Sequence, residues 1–188
     1  MDTSFNTGST NPLMDKKIST FTAFAIETAT GLRSSICQLS FVRVSNGVIT
    51  ERYTSLVQPP FNEYSESNIK DHGIVPAMTR DLPQFPLLWR KIGNYFTNEV
   101  VVAYCHEFDI DALTNVLELY GLEVPAFNFI CAFSLYKCLL AEACEQHNVD
   151  LIPENKLSEA EACAKLFLIN QSIKAFNISE NKTLNNTF

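Results

Sequence analysis

Three acidic residues, Glu27, Asp109 and Glu159, have the types and positions to do chemistry. Glu27 closes an apolar run. Asp109 follows the strand-like EVVVAY at the start of a helical segment, and Glu159 lies in the last one. Strand ends and helix starts on one edge of an α/β sheet are where ligands bind. Carboxylates gathered there supply the oxygen donors that hold two divalent ions for phosphodiester hydrolysis. Spacing alone leaves a plainer role open, because acidic side chains at helix starts also complement the helix dipole.

The elements that must position these residues are legible in the pattern. Residues 20–27 form a short apolar run that predicts a central strand. Residues 35–44 alternate in polarity, Ser45-Asn46-Gly47 is a hairpin turn, and 48–58 return as the partner strand. Pro59-Pro60 stops that strand. Residues 61–82 read as an irregular connection. Helical patterns follow at 84–96, 107–120, 133–147 and 155–170, with strands at 99–104 and 127–131. Gly121 ends the second helix. The expected core is Phe24, Ile36, Leu39, Phe85, Trp89, Ile92, Val101 and Leu113. The order βββαβαβαα implies a mixed sheet flanked by helices. Polar, aperiodic stretches at 1–17 and 171–188 read as disordered tails around an ordered domain over 18–170.

Composition bounds the function. The 188 residues are 46% hydrophobic and 19% charged, as in a globular domain. No apolar run reaches about 18 residues, and the first residues lack the apolar stretch of a secretory signal. The six cysteines form no C-x-x-C pair, so they read as small buried hydrophobes in a reducing cytoplasm. Net charge is −7, and it is unevenly spread. Residues 99–161 hold twelve acidic side chains against two basic ones, Lys137 and Lys156. A chain that grips a long nucleic-acid backbone usually carries a basic footprint, which is missing here.

A run of local motifs then points to one family. The stretch SSICQLSFVRVSNGVITERYTSLVQPP is followed by NIKDHGI at 68–74 and DLPQFPLLWRKI at 81–92. VVAYCHEFD at 101–109 and EAEACA at 159–164 complete it. Together they closely resemble the DEDDh 3′–5′ exonucleases (DnaQ-like, RNase T-like), over about residues 18–170. The most specific part is not catalytic: Ser35-Ile36-Cys37-Gln38 with its hairpin, and His72-Gly73-Ile74. The resemblance implies a ribonuclease H-like α/β exonuclease fold. Its sheet should be mixed and five-stranded, with the first three strands a meander.

The catalytic motifs depart from the family's pattern. Where the family reads Asp-x-Glu-Thr, this chain reads Ala25-Ile26-Glu27-Thr28. In the second motif Phe108 and Asp109 match, but the leading His-Asn is lost. In the third, Glu154 stands in the histidine's place and Glu159-Ala160 in that of Asp-Ala. The resemblance therefore implies metal ligands at Glu27, Asp109 and Glu159 and a general base at Glu154. It also implies weak or absent Mg²⁺ or Mn²⁺, because Ala25 replaces the aspartate that bridges both ions. His106 and His147 are the nearest substitutes for the lost histidine, and both read as surface or structural residues. His72 reads as packing beneath the site.

The function favoured on these grounds is a catalytically inactive exonuclease-fold protein. It would bind a single-stranded DNA or RNA 3′ end, or a protein partner such as a polymerase or another nuclease. One alternative is a slow metal-dependent 3′–5′ exonuclease. Another is an acidic interaction protein that binds a basic partner. A homodimer fits the family resemblance.

Overall fold

The computed structural model describes residues 18–126 and 128–185, without the side chains of His106, Glu107 and 175–185. The expected tail at 1–17 lies outside the described residues. Strand β1 (Phe21–Thr28) is buried at every position but Glu27. It pairs antiparallel with β2 (Ile36–Ser45), which pairs antiparallel with β3 (Val48–Leu56). The β2–β3 turn places Asn46 and Gly47 at φ 52° and 80°, the left-handed pair that a two-residue hairpin requires.

The chain then crosses over through α1 (Glu66–His72), α2 (Pro76–Thr79) and α3 (Phe85–Ile92). It re-enters the sheet as β4 (Val100–Ala103), parallel to β1. Helix α4 (His106–Leu119) leads to β5 (Asn128–Cys131), parallel to β4. Helices α5 (Phe133–Tyr136), α6 (Leu140–His147) and α7 (Lys156–Asn185) complete the described chain. The sheet is mixed and five-stranded, in the order β3-β2-β1-β4-β5, and its first three strands form the expected meander.

Side chains alternate across β1, and each face has its own core. Phe24 and Ile26 pack with Phe85, Leu88 and Ile92 of α3 and with Leu113 and Leu117 of α4. Phe21 and Ala23 face the other way, against Cys163, Ala164 and Phe167 of α7. The small residues Ala160, Ala162, Cys163 and Ala164 are all buried, which lets α7 lie close on the sheet. An edge-to-face contact between Phe21 and Phe167, centroids 4.9 Å apart, fixes it there.

Five local expectations need correction. Helix α7 does not stop near 170, because the chain has no glycine or proline after Pro153 to end it. Gln171, expected in a tail, is buried, and its Oε1 accepts the Ile18 amide at 3.2 Å. The segment 133–147 is two helices: Lys137 turns left-handed at φ 56°, and Glu142 reaches back to the Leu139 amide to start the second. The connection 61–82 contains α1 and α2 rather than being wholly irregular; Ser65 caps α1 by accepting the Asn68 amide. Of the expected core, seven residues are buried, but Trp89 is only half-buried. It stacks on Phe85 at the rim of the first core instead of filling it.

Candidate functional site

Strand β4 ends at Ala103, so β1 outruns its neighbour. Ile26 lies past the last β1–β4 pair, Ala23 with Val102, and its amide needs another acceptor. Asp109, in the first turn of α4, supplies it: Oδ1 accepts the Ile26 amide at 3.1 Å. Ala25 and Glu27 project from β1 toward the face that α7 covers, on the same side as Phe21 and Ala23. Helix α7 begins there with Lys156 and brings Glu159 round one turn later.

These elements enclose a cleft of about 350 Å³ at the carboxyl ends of β1 and β4. Ala25, Glu27, Phe108, Asp109, Lys156 and Glu159 are among the side chains that line it. The three carboxylates picked out in the sequence thus meet in one place. Glu154 does not join them. It is exposed, with φ 59°, in the turn before α7, and it is not among the lining residues. Glu154 precedes α7, so the helix that brings Lys156 and Glu159 to the cleft does not carry it there.

The centre of the cleft is an ion-paired trio. Lys156 Nζ lies 3.0 Å from Glu27 Oε1 and 2.7 Å from Glu159 Oε2. Burial works against charge on this lysine, but its bonds to Glu159 and Glu27 outweigh that cost and raise its pKa. Asp109 behaves differently. Burial pushes its carboxyl up to about 7, against the pull of the Ile26 amide and Lys156, and Glu159 adds to the rise. Repulsion from Glu159 is therefore a minor contributor to that rise; desolvation leads it.

This donor set does not fit a pair of divalent ions. Two-metal hydrolysis needs an oxygen shared by both ions, and Ala25 presents a methyl group at the position the resemblance assigns to that ligand. The Lys156 ammonium already lies between two of the three remaining carboxylates.

Neither of the described histidine side chains fills the gap. The His72 Nδ1 accepts the Ile74 amide at 3.0 Å, which leaves Nε2–H to donate to the Thr28 carbonyl at 3.2 Å. It holds α1 under the end of β1. His147 packs edge-on against Tyr136 at the end of α6. The His106 side chain lies outside the described residues.

Sequence reasoning passed over Lys156, counting it only as a rare basic residue in the acidic half. A signal was present. A lysine at the first position of a helix opposes the helix dipole and needs a compensating partner. Arg33 was also passed over. It is exposed and stacks on the Phe108 ring at the cleft wall, 4.3 Å from its centroid.

Comparison with known proteins agrees with the fold that carries this site. A family model described as an exonuclease, RNase T type, matches residues 26–162. No curated protein matches. Among solved structures, Exonuclease X in complex with 5′ overhanging duplex DNA is similar at 20% identity and a TM-score of 0.65. That likeness covers 82% of this chain and 93% of that one. Cell-death related nuclease 4 is similar at 13% identity and a TM-score of 0.70, over 84% of this chain and 65% of that one. A 3′-exonuclease, in a structure of 3′-end specific recognition of a histone mRNA stem-loop, is similar at 17% identity and a TM-score of 0.66. The shares are 82% of this chain and 64% of that one. At these identities the structures speak for a shared fold.

Proposed function

Because the chain belongs to the RNase T-type exonuclease family, we propose that it is a catalytically silent member whose cleft holds a single-stranded 3′ end without cutting it. The observation that carries this reading is Ala25 in the cleft beside Glu27, Asp109 and Glu159. In-line displacement at phosphorus needs both the attacking and leaving oxygens clamped by metal. A methyl group in place of the shared ligand withdraws that clamp, while the walls of the cleft remain.

Those walls suit a nucleic-acid end better than a long duplex. Arg33 over Phe108 offers a planar cation and an aromatic ring at the rim, where an unstacked base can settle. The chain's net charge of −7 opposes an extended backbone contact and limits the footprint to a few nucleotides. In the related structures named above, one protein is bound to overhanging DNA and another recognises an RNA 3′ end. The role that follows is regulatory: to occupy an end, or to present it to a partner, rather than to shorten it.

The test combines two assays on one labelled single-stranded oligonucleotide. Fluorescence anisotropy in EDTA should show saturable binding that weakens when the 3′ end is blocked. A gel assay with Mg²⁺ at neutral pH should show no shortening. Robust metal-dependent shortening, abolished by Asp109→Ala, would replace this reading with that of a working exonuclease. Absence of binding to DNA and RNA ends alike would also end it.

A further inference from the structure

We propose that the Lys156 ammonium is the resident counter-cation of the cleft, standing where a divalent ion would otherwise join Glu27 and Glu159. The inference rests on the reading of the cleft as a degenerate family site.

Three observations carry it. First, the contacts are short and come from two separate elements, β1 and α7. A lysine pairing only within its own helix would reach Glu159 alone; this one also reaches across to Glu27. Second, the three side chains are largely withdrawn from water, at 16%, 19% and 23% exposure. Two carboxylates that close and that dry repel strongly unless a cation lies between them. Third, Lys156 opens α7, where the helix dipole disfavours a cation. Its position is understandable only if the carboxylates compensate it.

The chemical consequence follows from what an ammonium is. It neutralises charge and donates hydrogen bonds, but it has no vacant coordination position. It therefore preserves the juxtaposition of β1 and α7 without activating a water or polarising a phosphoryl oxygen. The substitution of Ala25 and the presence of Lys156 make one consistent change. A bridging aspartate would add another negative charge beside two carboxylates that already share a single tethered cation.

The experiment compares the unmodified protein with Lys156→Met and Lys156→Arg, using Mn²⁺ alone as the probe. Calorimetric titration reads Mn²⁺ uptake, and thermal unfolding is followed in EDTA and in about 10 mM Mn²⁺. The unmodified protein and Lys156→Arg should take up no Mn²⁺ and unfold at the same temperature in both conditions. Lys156→Met should unfold at a lower temperature in EDTA, take up Mn²⁺, and recover about 2–4 °C when it is present. If Lys156→Met does not fold in EDTA, it should refold with Mn²⁺ present; failure to do so counts against the proposal. Mn²⁺ uptake by the unmodified protein overturns it, as does a Lys156→Met variant that takes up none. These readouts contain no nucleic acid. A protein that takes up no metal yet shortens oligonucleotides would sink the proposed function and leave this inference standing.

Discussion

Asp109 accepts the amide of Ile26 at 3.1 Å, joining the first turn of α4 to the end of β1 across 83 residues of chain. The bond satisfies a backbone group that β4 is too short to reach. It also sets a buried carboxyl inside the cleft, and burial pushes that carboxyl up to about 7.

That rise has a definite sign for stability. In the unfolded chain Asp109 titrates near its ordinary 3.8, and in the folded protein near about 7. Below pH 3.8 both states hold the proton and its contribution is fully present. Between the two values the unfolded state releases its proton first, so stability falls as pH rises and levels off above about 7. The loss is on the order of a few kcal/mol. Asp109→Asn keeps an acceptor for Ile26 and removes the titration. Urea unfolding of the two proteins across this pH range should show the variant gaining on the unmodified protein. A difference independent of pH would refute the assignment.

The two aromatic residues at the α3 end of the first core should respond unequally to truncation. Phe96 is fully buried and meets Phe24 edge-on at 5.3 Å, whereas Trp89 is half-buried at the rim. Phe96→Ala should cost about 3–5 kcal/mol, the usual range for a buried aromatic. Trp89→Ala should cost about 2 kcal/mol, because part of its surface is already in water. Denaturant unfolding that places Trp89→Ala above Phe96→Ala would show that the rim carries more of the packing than its exposure implies.

Arg33 tests the cleft as a nucleic-acid site. Its guanidinium lies over Phe108 and is exposed to an incoming base. Arg33→Ala should weaken binding of a single-stranded oligonucleotide about 2- to 5-fold, the value of one exposed cation–π contact. Arg33→Lys should lose less in affinity while keeping the salt dependence. Anisotropy titrations at two salt concentrations read both. An unchanged affinity for Arg33→Ala would place the nucleic acid elsewhere.

Restoring catalysis should need several changes at once. Ala25→Asp alone supplies the shared ligand but leaves Lys156 between Glu27 and Glu159. Combined with Glu159→Asp and Lys156→Ala, it should give metal-dependent shortening at least about tenfold above the best single variant, since the ligands act as a unit. Glu154→His should add little, because that residue is exposed in a left-handed turn outside the cleft. Gel assays of the combinations measure this directly. Equal activity from Ala25→Asp by itself would show that Lys156 yields to metal.

The elements were legible because their signals are local. Alternation, the Asn46-Gly47 turn and the Pro59-Pro60 stop each depend on neighbouring residues, and the motifs around them pointed to the family. The meeting of Glu27, Asp109 and Glu159 could be expected as well, since strand ends and helix starts share an edge in such a sheet. The errors share a cause too. Trp89 matched the apolar face of its helix, but periodicity does not tell how deep a face is buried. The segment 171–185 looked polar, yet nothing in it stops a helix that packing against the sheet has already nucleated.

Lys156 shows what only the tertiary structure decided. The sequence by itself determined a lysine three residues before a glutamate at a helix start, and an alanine in place of an aspartate. Nothing local says that this lysine reaches β1. That depends on the small residues of α7, which let the helix lie close enough on the sheet for the Lys156 ammonium to lie 3.0 Å from Glu27. Charge neutralisation at such range is a property of distance through space, and distance through space is set by packing rather than by the order of residues along the chain.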